Sequence, residues 1–388
     1  NVSLIYSGRY RIQKTNLKLM IDKLGIPIEY RQMQAGSVRG LLITVDCQYG
    51  AGNVYPFEAD AIAVIDHHQK EIHTSKLVSW EIASNLGSCS TLVWRMLLDA
   101  DYPVNEDIRL GTALYYGLYR DTNQFSEICY PLDMDMRDSV HYDRYIIQHL
   151  RNSNMSLKEL EIAGIAMIRY IYNSDYHYAI IQAQPCDPNL LGLISDFLIQ
   201  VDELTTCVVF NQLEDGYKFS VRSCVKEVRA SELAQFLAAD MGSGGGHVEK
   251  AGGFITRRQY EEKYPTLHSE GYFSNRMNEY FDSFDILYAE KMDIDTSDMK
   301  SYYIRPAVSG YVEARSLMPI GTKGVIRTLE GDIELEAAEG MMILANEDGR
   351  VKVISSHEFE EKYKVLGEHC NLNPEYKPRL RKLTSQTT

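Results

Sequence analysis

The sequence predicts an α/β protein made of two α/β domains and a smaller β-rich domain. Three observations support this prediction. In the first 150 residues, short apolar runs alternate with segments of helical spacing, as in a domain with a mostly parallel sheet. After about residue 175, strand-like segments are joined by a hairpin turn. Beyond about residue 300, short alternating runs are separated by Gly and Asp turns.

The first domain is predicted over residues 1–150. Its helices are recognised by apolar residues at helical spacing, and its strands by short apolar runs. Gly25 stands where the first helical pattern stops, which is where a helix commonly ends. The predicted elements are strands at residues 2–6, 41–45 and 61–65, and helices at residues 16–24, 88–100 and 106–119.

A helical connector is predicted at residues 151–172, and a second α/β domain with a mixed sheet at residues 173–295. Ser156 and Glu159 have the spacing of a capping box, which predicts a helix start. A glycine-rich loop is predicted at residues 242–246 of the second domain. Its other predicted elements are strands at residues 176–183, a hairpin at 205–225 that turns at 214–216, and helices at 190–199 and 229–241.

The last part of the chain is predicted as a small β-rich domain of unknown role at residues 300–375. A polar tail at residues 376–388 follows, and its composition predicts disorder.

Composition restricts the classes of function. The chain has 388 residues and a formal net charge of −14, which argues against a large generic DNA-binding surface but not against a local phosphate pocket. Its seven cysteines form no Cys-x-x-Cys pair, which indicates a reducing, cytoplasmic location. No apolar run approaches the roughly 18 to 20 residues of a membrane-spanning helix, so we expect no membrane attachment.

Three groups of polar side chains in the first domain lie at or just beyond the end of an apolar segment. They are Asp46, the triplet Asp66, His67 and His68, and Asp121. Ligands bind in the crevice at the carboxyl edge of a parallel sheet, so these groups are expected to converge. Carboxylates and imidazoles together suit Mn²⁺, Mg²⁺ or Co²⁺. A single Asp after a strand is usually a turn or a helix cap, so the prediction depends on all three groups together.

The second domain carries a different signal, the glycine-rich segment at residues 242–246 followed by His247. Glycines allow backbone N–H groups to approach a phosphate closely, and a neighbouring His can donate to the same oxygens. A flexible surface loop is the alternative. Upstream, Arg222 ends a strand with a guanidinium that could bind phosphate, or equally form a structural salt bridge.

Together these segments resemble the DHH/DHHA1 phosphoesterase superfamily, which includes RecJ-like exonucleases, nano-RNases and cyclic-dinucleotide phosphodiesterases. The resemblance covers roughly residues 1–290. It depends on the order and separation of four motifs: VDCQYGAGN (45–53), VIDHH (64–68), GLYRDTNQF (117–125), and VRSC with GSGGGHVEKAGGF (221–254).

The resemblance implies a role for each residue of the first-domain site. In the family, the Asp matching Asp46 bridges two metal ions, the residue matching His67 is a metal ligand, and the Asp matching Asp121 binds the second ion. The residue matching His68 lies against the substrate phosphate as a catalytic group. Asp66 would orient an imidazole, which fixes its tautomer and ring direction.

The resemblance also implies a substrate-binding role for the second domain. The family motif there binds the other phosphate or terminus of the substrate. The matching residues are Arg222, Ser223, Gly244, Gly245, Gly246 and His247.

The sequence departs from the family in one respect. Family members begin with a His-x-x-x-Asp-x-Asp motif that supplies further metal ligands, and this chain has no such motif. Two explanations are open. The sequence is a fragment whose upstream part carries the motif, as its start at Asn1 suggests, or it is a family member with an incomplete metal site.

The function that the sequence predicts is metal-dependent hydrolysis of phosphodiester bonds in short oligonucleotides or linear dinucleotides, with two Mn²⁺ ions and with Mg²⁺ or Co²⁺ as substitutes. Two alternatives remain open. One is phosphoanhydride hydrolysis of the exopolyphosphatase or pyrophosphatase type. The other is a catalytically incomplete nucleotide-binding regulatory protein. A homodimer is an open expectation, because family members often dimerise.

Overall fold

The computed structural model describes most of the chain. Of residues 32 and 37–39 only the backbone is described. The described residues are 2–8, 11–32, 37–50, 57–70, 75–128, 130–153, 155–187, 189–284, 295–302, 307–367, 372–374 and 376–383.

The chain divides into two compact units, each of which is described by itself. The first unit comprises residues 1–63, 70–79 and 144–296, and the second comprises residues 64–69, 80–143 and 297–388. This division differs from the domain boundaries expected from the sequence, which stay a prediction.

The first 260 residues contain both helices and strands, and strands dominate the last 90. The longest described helix has 14 residues, and none in the described part of the chain is long and apolar enough to cross a membrane. In chain order the elements are β1 (Leu4–Gly8), α1 (Thr15–Leu24), β2 (Ile28–Gln32), β3 (Ser37–Val45), β4 (Glu58–Asp66), β5 (Leu77–Ile82), α2 (Cys89–Asp99), a 3₁₀ turn (Val104–Glu106), α3 (Ile108–Asp121), α4 (Pro131–Ser139), α5 (Arg144–Asn152), α6 (Leu157–Met167), β6 (Tyr170–Asn173), β7 (Tyr178–Ala183), α7 (Asn189–Leu198), β8 (Thr206–Gln212), β9 (Gly216–Ser223), α8 (Ala230–Ala238), β10 (Gly242–Gly246), β11 (Lys250–Thr256), α9 (Arg257–Lys263), α10 (Ser269–Phe281), β12 (Ser309–Glu313), α11 (Ala314–Leu317), β13 (Lys323–Thr328), β14 (Gly331–Glu336), β15 (Met341–Asn346), β16 (Val351–Ser355), α12 (Ser356–Lys362) and β17 (Arg379–Lys382).

Three helix termini form where the sequence predicts them, because their signals are local. Gly25 ends α1 with a φ of 61°, a left-handed conformation that glycine adopts without a steric penalty. Ser88 caps α2 by accepting a hydrogen bond from the N–H of Ser90. Ser156 and Glu159 form the predicted capping box at the start of α6.

The first unit contains a six-stranded mixed sheet, in the order β10-β11-β9-β8-β7-β6. All neighbouring strands are antiparallel except β7 and β8, which are parallel. One face packs on a core that includes Phe210, Phe219 and Phe273, and the other face packs on a core that includes Ile181 and Leu191. The predicted α/β class with a mixed sheet is confirmed. A separate pair, β1 and β2, is parallel.

The glycine-rich segment is the edge strand β10, so its prediction as a loop is wrong. β10 pairs with β11 in an antiparallel register. A Cβ atom added to Gly244 would lie 2.1 Å from the carbonyl oxygen of Ala234 in α8, and one added to Gly242 would lie 1.8 Å from that of Phe254. These two glycines therefore permit the strand to pack closely against a helix and against its neighbouring strand.

In the second unit, helices α2, α3 and α4 pack around Trp94, Leu118 and Met136. A Cβ atom at Gly117 of α3 would lie 2.0 Å from Oγ of Ser90, so glycine at this position allows α3 to approach the start of α2. This close approach determines where the end of α3 lies relative to the turn before α2.

The C-terminal part is β-rich, as predicted, and consists of two antiparallel three-stranded sheets, β12-β15-β16 and β14-β13-β17. It contacts α4 within the same unit. Arg327 Nη1 lies 3.2 Å from Oδ1 of Asp135 and 2.9 Å from Oδ2 of Asp138. Burial of the Asp138 carboxyl acts to raise its pKa. The hydrogen bonds from Arg137 and Arg327 act in the opposite direction and are stronger together, so the pKa of Asp138 is lowered.

The prediction of a disordered tail is wrong for residues 376–383, and residues 384–388 lie outside the described part. Tyr376 is 4% exposed, and its hydroxyl donates to Oδ2 of Asp135 over 2.9 Å. The following strand, β17, pairs with β13. The segment is ordered because it supplies a sheet edge and a buried hydrogen bond, neither of which its polar composition reveals.

We expect Tyr376→Phe to lower the free energy of unfolding by about 1.5–3 kcal/mol, because it removes a hydrogen bond to a buried carboxylate. Urea denaturation of the full-length protein measures this change. Tyr302→Phe is the matched control, since Tyr302 is 85% exposed, and it should change the value by less than about 0.5 kcal/mol. Equal stability of the two variants would contradict the docking role of Tyr376.

Candidate metal centre and substrate-binding strand

The triplet Asp66, His67 and His68 follows a buried strand. Ile62 and Val64 of β4 are 0% and 1% exposed, and β4 ends at Asp66. The carbonyl oxygen of Asp66 accepts a hydrogen bond from the N–H of Ala83, just after β5. The strand end is therefore fixed, and the two imidazoles that follow it start from a defined backbone.

His67 is buried, and a hydrogen bond determines its tautomer. Its Nδ1 lies 3.1 Å from the carbonyl oxygen of Leu86. A carbonyl can only accept, so Nδ1 carries the proton and the neutral ring keeps its lone pair on Nε2. A histidine whose second nitrogen is held by a carbonyl is the usual arrangement of a metal-binding imidazole.

Asp66 contacts both histidines. Its Oδ1 accepts from the backbone N–H of His67 and from Nδ1 of His68, each over 2.8 Å. Asp66 is 1% exposed, whereas the side chain of His68 is 40% exposed. The buried carboxylate thus orients a solvent-accessible imidazole, and the two imidazole rings lie edge to face with centroids 4.5 Å apart.

Asp121, the last residue of α3, is held by a serine. Oγ of Ser88 donates to Oδ2 of Asp121 over 2.6 Å. A ring nitrogen of His67 and a carboxylate oxygen of Asp121 lie within 4.8 Å of each other. An imidazole and a carboxylate at this separation, each oriented by a further contact, fit the donor set of a divalent ion such as Mn²⁺.

Asp133 of α4 is a further member of this cluster that the sequence reasoning missed. Its Oδ2 accepts from the N–H of Gly87 over 2.9 Å, and its Oδ1 accepts from Oγ1 of Thr91 over 2.6 Å. Burial raises the pKa of the Asp133 carboxyl to about 6. The hydrogen bonds from Thr91 and Gly87 and the attraction of His67 lower this pKa, but by less than burial raises it. The one available signal was its helical spacing with the apolar residue Met136.

Three consecutive residues therefore connect the cluster. We call Leu86, Gly87 and Ser88 the 86–88 turn. Its first residue contacts His67, its second contacts Asp133, and its third contacts Asp121. A Cβ atom at Gly87 would lie 2.6 Å from Cγ2 of Thr122, so the turn has no room for a side chain there.

Asp46 and His247 both belong to the first unit. Asp46 directly follows β3 with a φ of 60°, a left-handed conformation that Asp tolerates better than most residues. His247 follows β10, and its backbone N–H donates to the carbonyl of Lys250 over 2.7 Å, which closes the turn to β11. Their roles in a metal or substrate site stay predictions.

Arg222 and Ser223, both predicted to bind substrate, lie on opposite faces of β9, because successive strand residues alternate. Nε of Arg222 lies 2.7 Å from Oδ1 of Asp196, so the structural salt bridge left open by the sequence is present. Nη1 of Arg222 also donates to Oγ of Ser220 over 2.9 Å. Ser223 is buried, and its Oγ donates to the carbonyl of Val225.

The predicted glycines also divide between the two faces. Gly245 is paired through Gly252 with Ser220, which places it on the face of Arg222. A Cβ atom at Gly245 would meet no heavy atom within 4 Å. Gly244 and Gly246 lie on the other face, where added Cβ atoms would collide with backbone atoms. Among the three, Gly245 alone has no packing reason to be glycine.

Comparisons with known proteins give distant similarities. No protein-family model matches the chain. The chain is similar to an uncharacterized protein, MJ1633, of Methanocaldococcus jannaschii, at 26% identity over 191 residues, or 48% of this chain and 38% of that protein. The chain thus spans 38% of the length of this curated relative.

Two solved structures are also similar to the chain. One is an exopolyphosphatase-related protein from Bacteroides fragilis, with 19% identity, 57% of this chain and 64% of that chain covered, and a TM-score of 0.45. The other is RecJ of Thermus thermophilus in complex with Mn²⁺, with 12% identity, 95% and 67% of the chains covered, and a TM-score of 0.38. At these scores the similarities carry no conclusion about activity.

We expect the stability of the protein to depend on the ionisation of Asp133. Its raised pKa means that the folded state holds the proton more tightly than the unfolded chain, whose value is near 3.8. The free energy of unfolding should therefore fall by roughly 1–1.5 kcal/mol between pH 5 and pH 8 through this group. Asp133→Asn should remove this pH-dependent part of the free energy of unfolding. It should keep the hydrogen bonds to Gly87 and Thr91, since the amide oxygen can accept from the Gly87 N–H and Nδ2 can donate to Thr91 Oγ1.

Urea denaturation in EDTA at both pH values measures this difference. The variant and the wild type should show different pH profiles, with the wild type losing more stability on going to pH 8. Parallel profiles would mean that Asp133 is already ionised at pH 5.

We expect Gly245→Ala to leave the free energy of unfolding unchanged or to raise it by up to about 1 kcal/mol, because the site has open space and an ordinary φ. Gly244→Ala, its matched control one residue away, should lower the value by about 2–3 kcal/mol, because the methyl group meets the backbone of α8. Denaturation of the two variants in parallel checks this contrast, and a large loss in Gly245→Ala would contradict it.

Proposed function

We propose that the protein is a DHH-type phosphoesterase that hydrolyses phosphodiester bonds of short oligonucleotides or linear dinucleotides with the help of divalent metal ions. The observation that carries this proposal is the arrangement of His67 and Asp121. The 86–88 turn orients both side chains, and their potential ligand atoms lie within 4.8 Å of each other.

His67 and Asp121, together with Asp46, are proposed to hold the metal, as the motif resemblance implies. Mn²⁺ is the expected ion, with two ions in a complete site, and Mg²⁺ or Co²⁺ are the expected substitutes. When bound, such ions withdraw charge from the phosphate and lower the pKa of water.

Hydrogen bonds within the protein orient the proposed metal ligands before a substrate binds. The hydrogen bond from His67 Nδ1 to the Leu86 carbonyl leaves Nε2 of the neutral ring as the nitrogen that can bind a metal ion. The hydroxyl of Ser88 occupies one oxygen of Asp121 and so directs the other. Both constraints reduce the rearrangement that metal binding would otherwise require.

His68 is proposed to carry a proton at Nε2 towards the leaving oxygen. The carboxylate of Asp66 accepts from Nδ1 of His68 over 2.8 Å, which fixes the direction of the imidazole. The partial exposure of His68 makes the outer nitrogen accessible to a substrate. Asp66 is the positioning residue in this arrangement, because its own oxygens face the two histidines.

The first unit is proposed to bind the rest of the substrate through Arg222 and the neighbouring glycine strand. Arg222 is preorganised by Asp196 and Ser220, and Gly245 leaves the same face of the sheet open. His247 is a further proposed contact. A short substrate agrees with the acidic net charge of the chain, which argues against long nucleic-acid strands.

We expect the full-length protein, supplied with Mn²⁺, to hydrolyse pApA and short RNA faster than polyphosphate or pyrophosphate. His68→Asn should reduce kcat on pApA by roughly 10²–10⁴-fold, because it removes a proton donor. His141→Asn, which changes an exposed histidine of the same unit, should leave kcat unchanged. Steady-state kinetics with Mn²⁺, Mg²⁺ and Co²⁺ measure these effects.

Other outcomes would favour the alternatives. Turnover of polyphosphate or pyrophosphate alone would indicate a phosphoanhydride hydrolase. Nucleotide binding without turnover of any substrate, with any of the three ions, would contradict the enzyme proposal and favour a regulatory nucleotide-binding protein.

A further inference from the structure

Three side chains of the C-terminal part converge on one buried carboxylate of α4. Asp135 is 6% exposed. Its Oδ1 lies 3.2 Å from Nη1 of Arg327. Its Oδ2 accepts from the hydroxyl of Tyr376 over 2.9 Å and lies 3.6 Å from Nε of Arg379. A buried carboxylate that loses its partners is strongly destabilising, so the position of α4 depends on these contacts with the C-terminal sheets.

Arg327 contacts α4 at a second point. Its Nη1 also lies 2.9 Å from Oδ2 of Asp138, which is close to one helical turn after Asp135. The guanidinium is held from the C-terminal part by Asp332, which is paired with Arg327 across β13 and β14 and whose Oδ1 lies 3.2 Å from Nε. Arg327 thus fixes a full turn of α4 relative to the β13–β14 hairpin.

The opposite side of α4 contacts the 86–88 turn. Asp133 precedes Asp135 by two residues, which places the two side chains about 200° apart around the helix. Oδ2 of Asp133 accepts from the N–H of Gly87 over 2.9 Å. A Cβ atom at Gly87 would lie 2.6 Å from Cγ2 of Thr122 and 3.3 Å from Oδ2 of Asp133, so the turn is confined between α3 and α4. A shift of α4 would therefore change the position of Gly87.

The two neighbours of Gly87 hold the proposed metal ligands. The carbonyl oxygen of Leu86 lies 3.1 Å from Nδ1 of His67, and Oγ of Ser88 donates to Asp121 over 2.6 Å. A metal site keeps its affinity only while its ligands stay within about 0.5 Å of their required positions. Contacts thus run without a gap from Arg327, through α4 and the 86–88 turn, to both ligands.

We propose that Arg327 is a positioning residue of the metal centre. By holding α4, Arg327 keeps Asp133 against Gly87. The 86–88 turn then keeps His67 and Asp121 oriented for a divalent ion, so docking of the C-terminal sheets raises the affinity of the centre for that ion. The metal centre itself rests on the proposed function, whereas the connection through α4 rests on the contacts of this helix. The alternative is that Arg327 only stabilises the fold.

The Mn²⁺ affinity of the full-length protein, measured from the electron paramagnetic resonance signal of free Mn²⁺, tests the proposal without requiring turnover. Arg327→Met should raise the dissociation constant by roughly 3- to 30-fold, because α4 loses a cation at Asp135 and shifts. Ile326→Val is the matched control, since Ile326 is 3% exposed and packs in the core of the C-terminal sheets. It should lower the unfolding temperature and leave the Mn²⁺ affinity unchanged.

Two further variants keep the proposal falsifiable if Arg327→Met does not fold. Tyr376→Phe, which removes one contact of Asp135, should raise the dissociation constant by about two- to five-fold. The double variant Arg327→Met with Asp135→Asn should bind Mn²⁺ more tightly than Arg327→Met alone, because a neutral amide does not require a cation. A further loss of affinity in the double variant would exclude Asp135 as the connection.

Hydrolysis measurements separate the inference from the proposed function. At saturating Mn²⁺ the kcat of Arg327→Met on pApA should approach that of the wild type, because only ion binding is weakened. If Mn²⁺ binding depends on Arg327 but no phosphodiester is hydrolysed, the proposed function fails and the inference stands. If pApA is hydrolysed and Arg327→Met leaves the Mn²⁺ affinity unchanged, or if Ile326→Val weakens it equally, the inference is overturned. Absence of Mn²⁺ binding by the wild type would overturn both.

Discussion

The hydrogen bond between Nδ1 of His67 and the carbonyl of Leu86 is the interaction on which the candidate metal centre depends. In the neutral ring it places the proton of this buried imidazole on Nδ1 and the lone pair on Nε2. The next two residues of the 86–88 turn bind Asp133 and Asp121. One short segment, between a strand and a helix, therefore positions both proposed ligands, His67 and Asp121, and is itself held by a buried carboxylate.

Helix α4 connects this turn to the C-terminal part of the chain. Asp133 faces the turn, and Asp135, two residues later, receives hydrogen bonds from Arg327 and Tyr376. Both carboxylates are buried, so each must keep its partners, because an unpaired buried carboxylate is strongly destabilising. The C-terminal sheets thus satisfy charges on the same nine-residue helix that contacts the 86–88 turn of the candidate metal centre. Their position gives the otherwise uninterpreted C-terminal part a structural role.

The sequence predicted what local signals encode. The strand before the Asp66 triplet, the helix that starts near Ser88 and the glycine end of α1 each depend on residues within one or two turns, and each formed as expected. The role of Gly244 and the burial of Asp133 and Tyr376 depend on residues far along the chain. From composition alone, the sequence predicts a loop for the segment that contains Gly244 and a disordered tail for the segment that contains Tyr376. That Arg222 shares its face with Gly245 followed only once the strand register was known.

The most direct test of the central claim is a pulsed electron paramagnetic resonance measurement on the full-length protein loaded with Mn²⁺. If His67 Nε2 is a metal ligand, the spectrum should contain a ¹⁴N coupling from a directly bound imidazole. The coupling should disappear in His67→Ala and persist in His68→Ala. Persistence of the coupling in His67→Ala, or its absence from the wild type under saturating Mn²⁺, would contradict the assignment of His67 as a ligand.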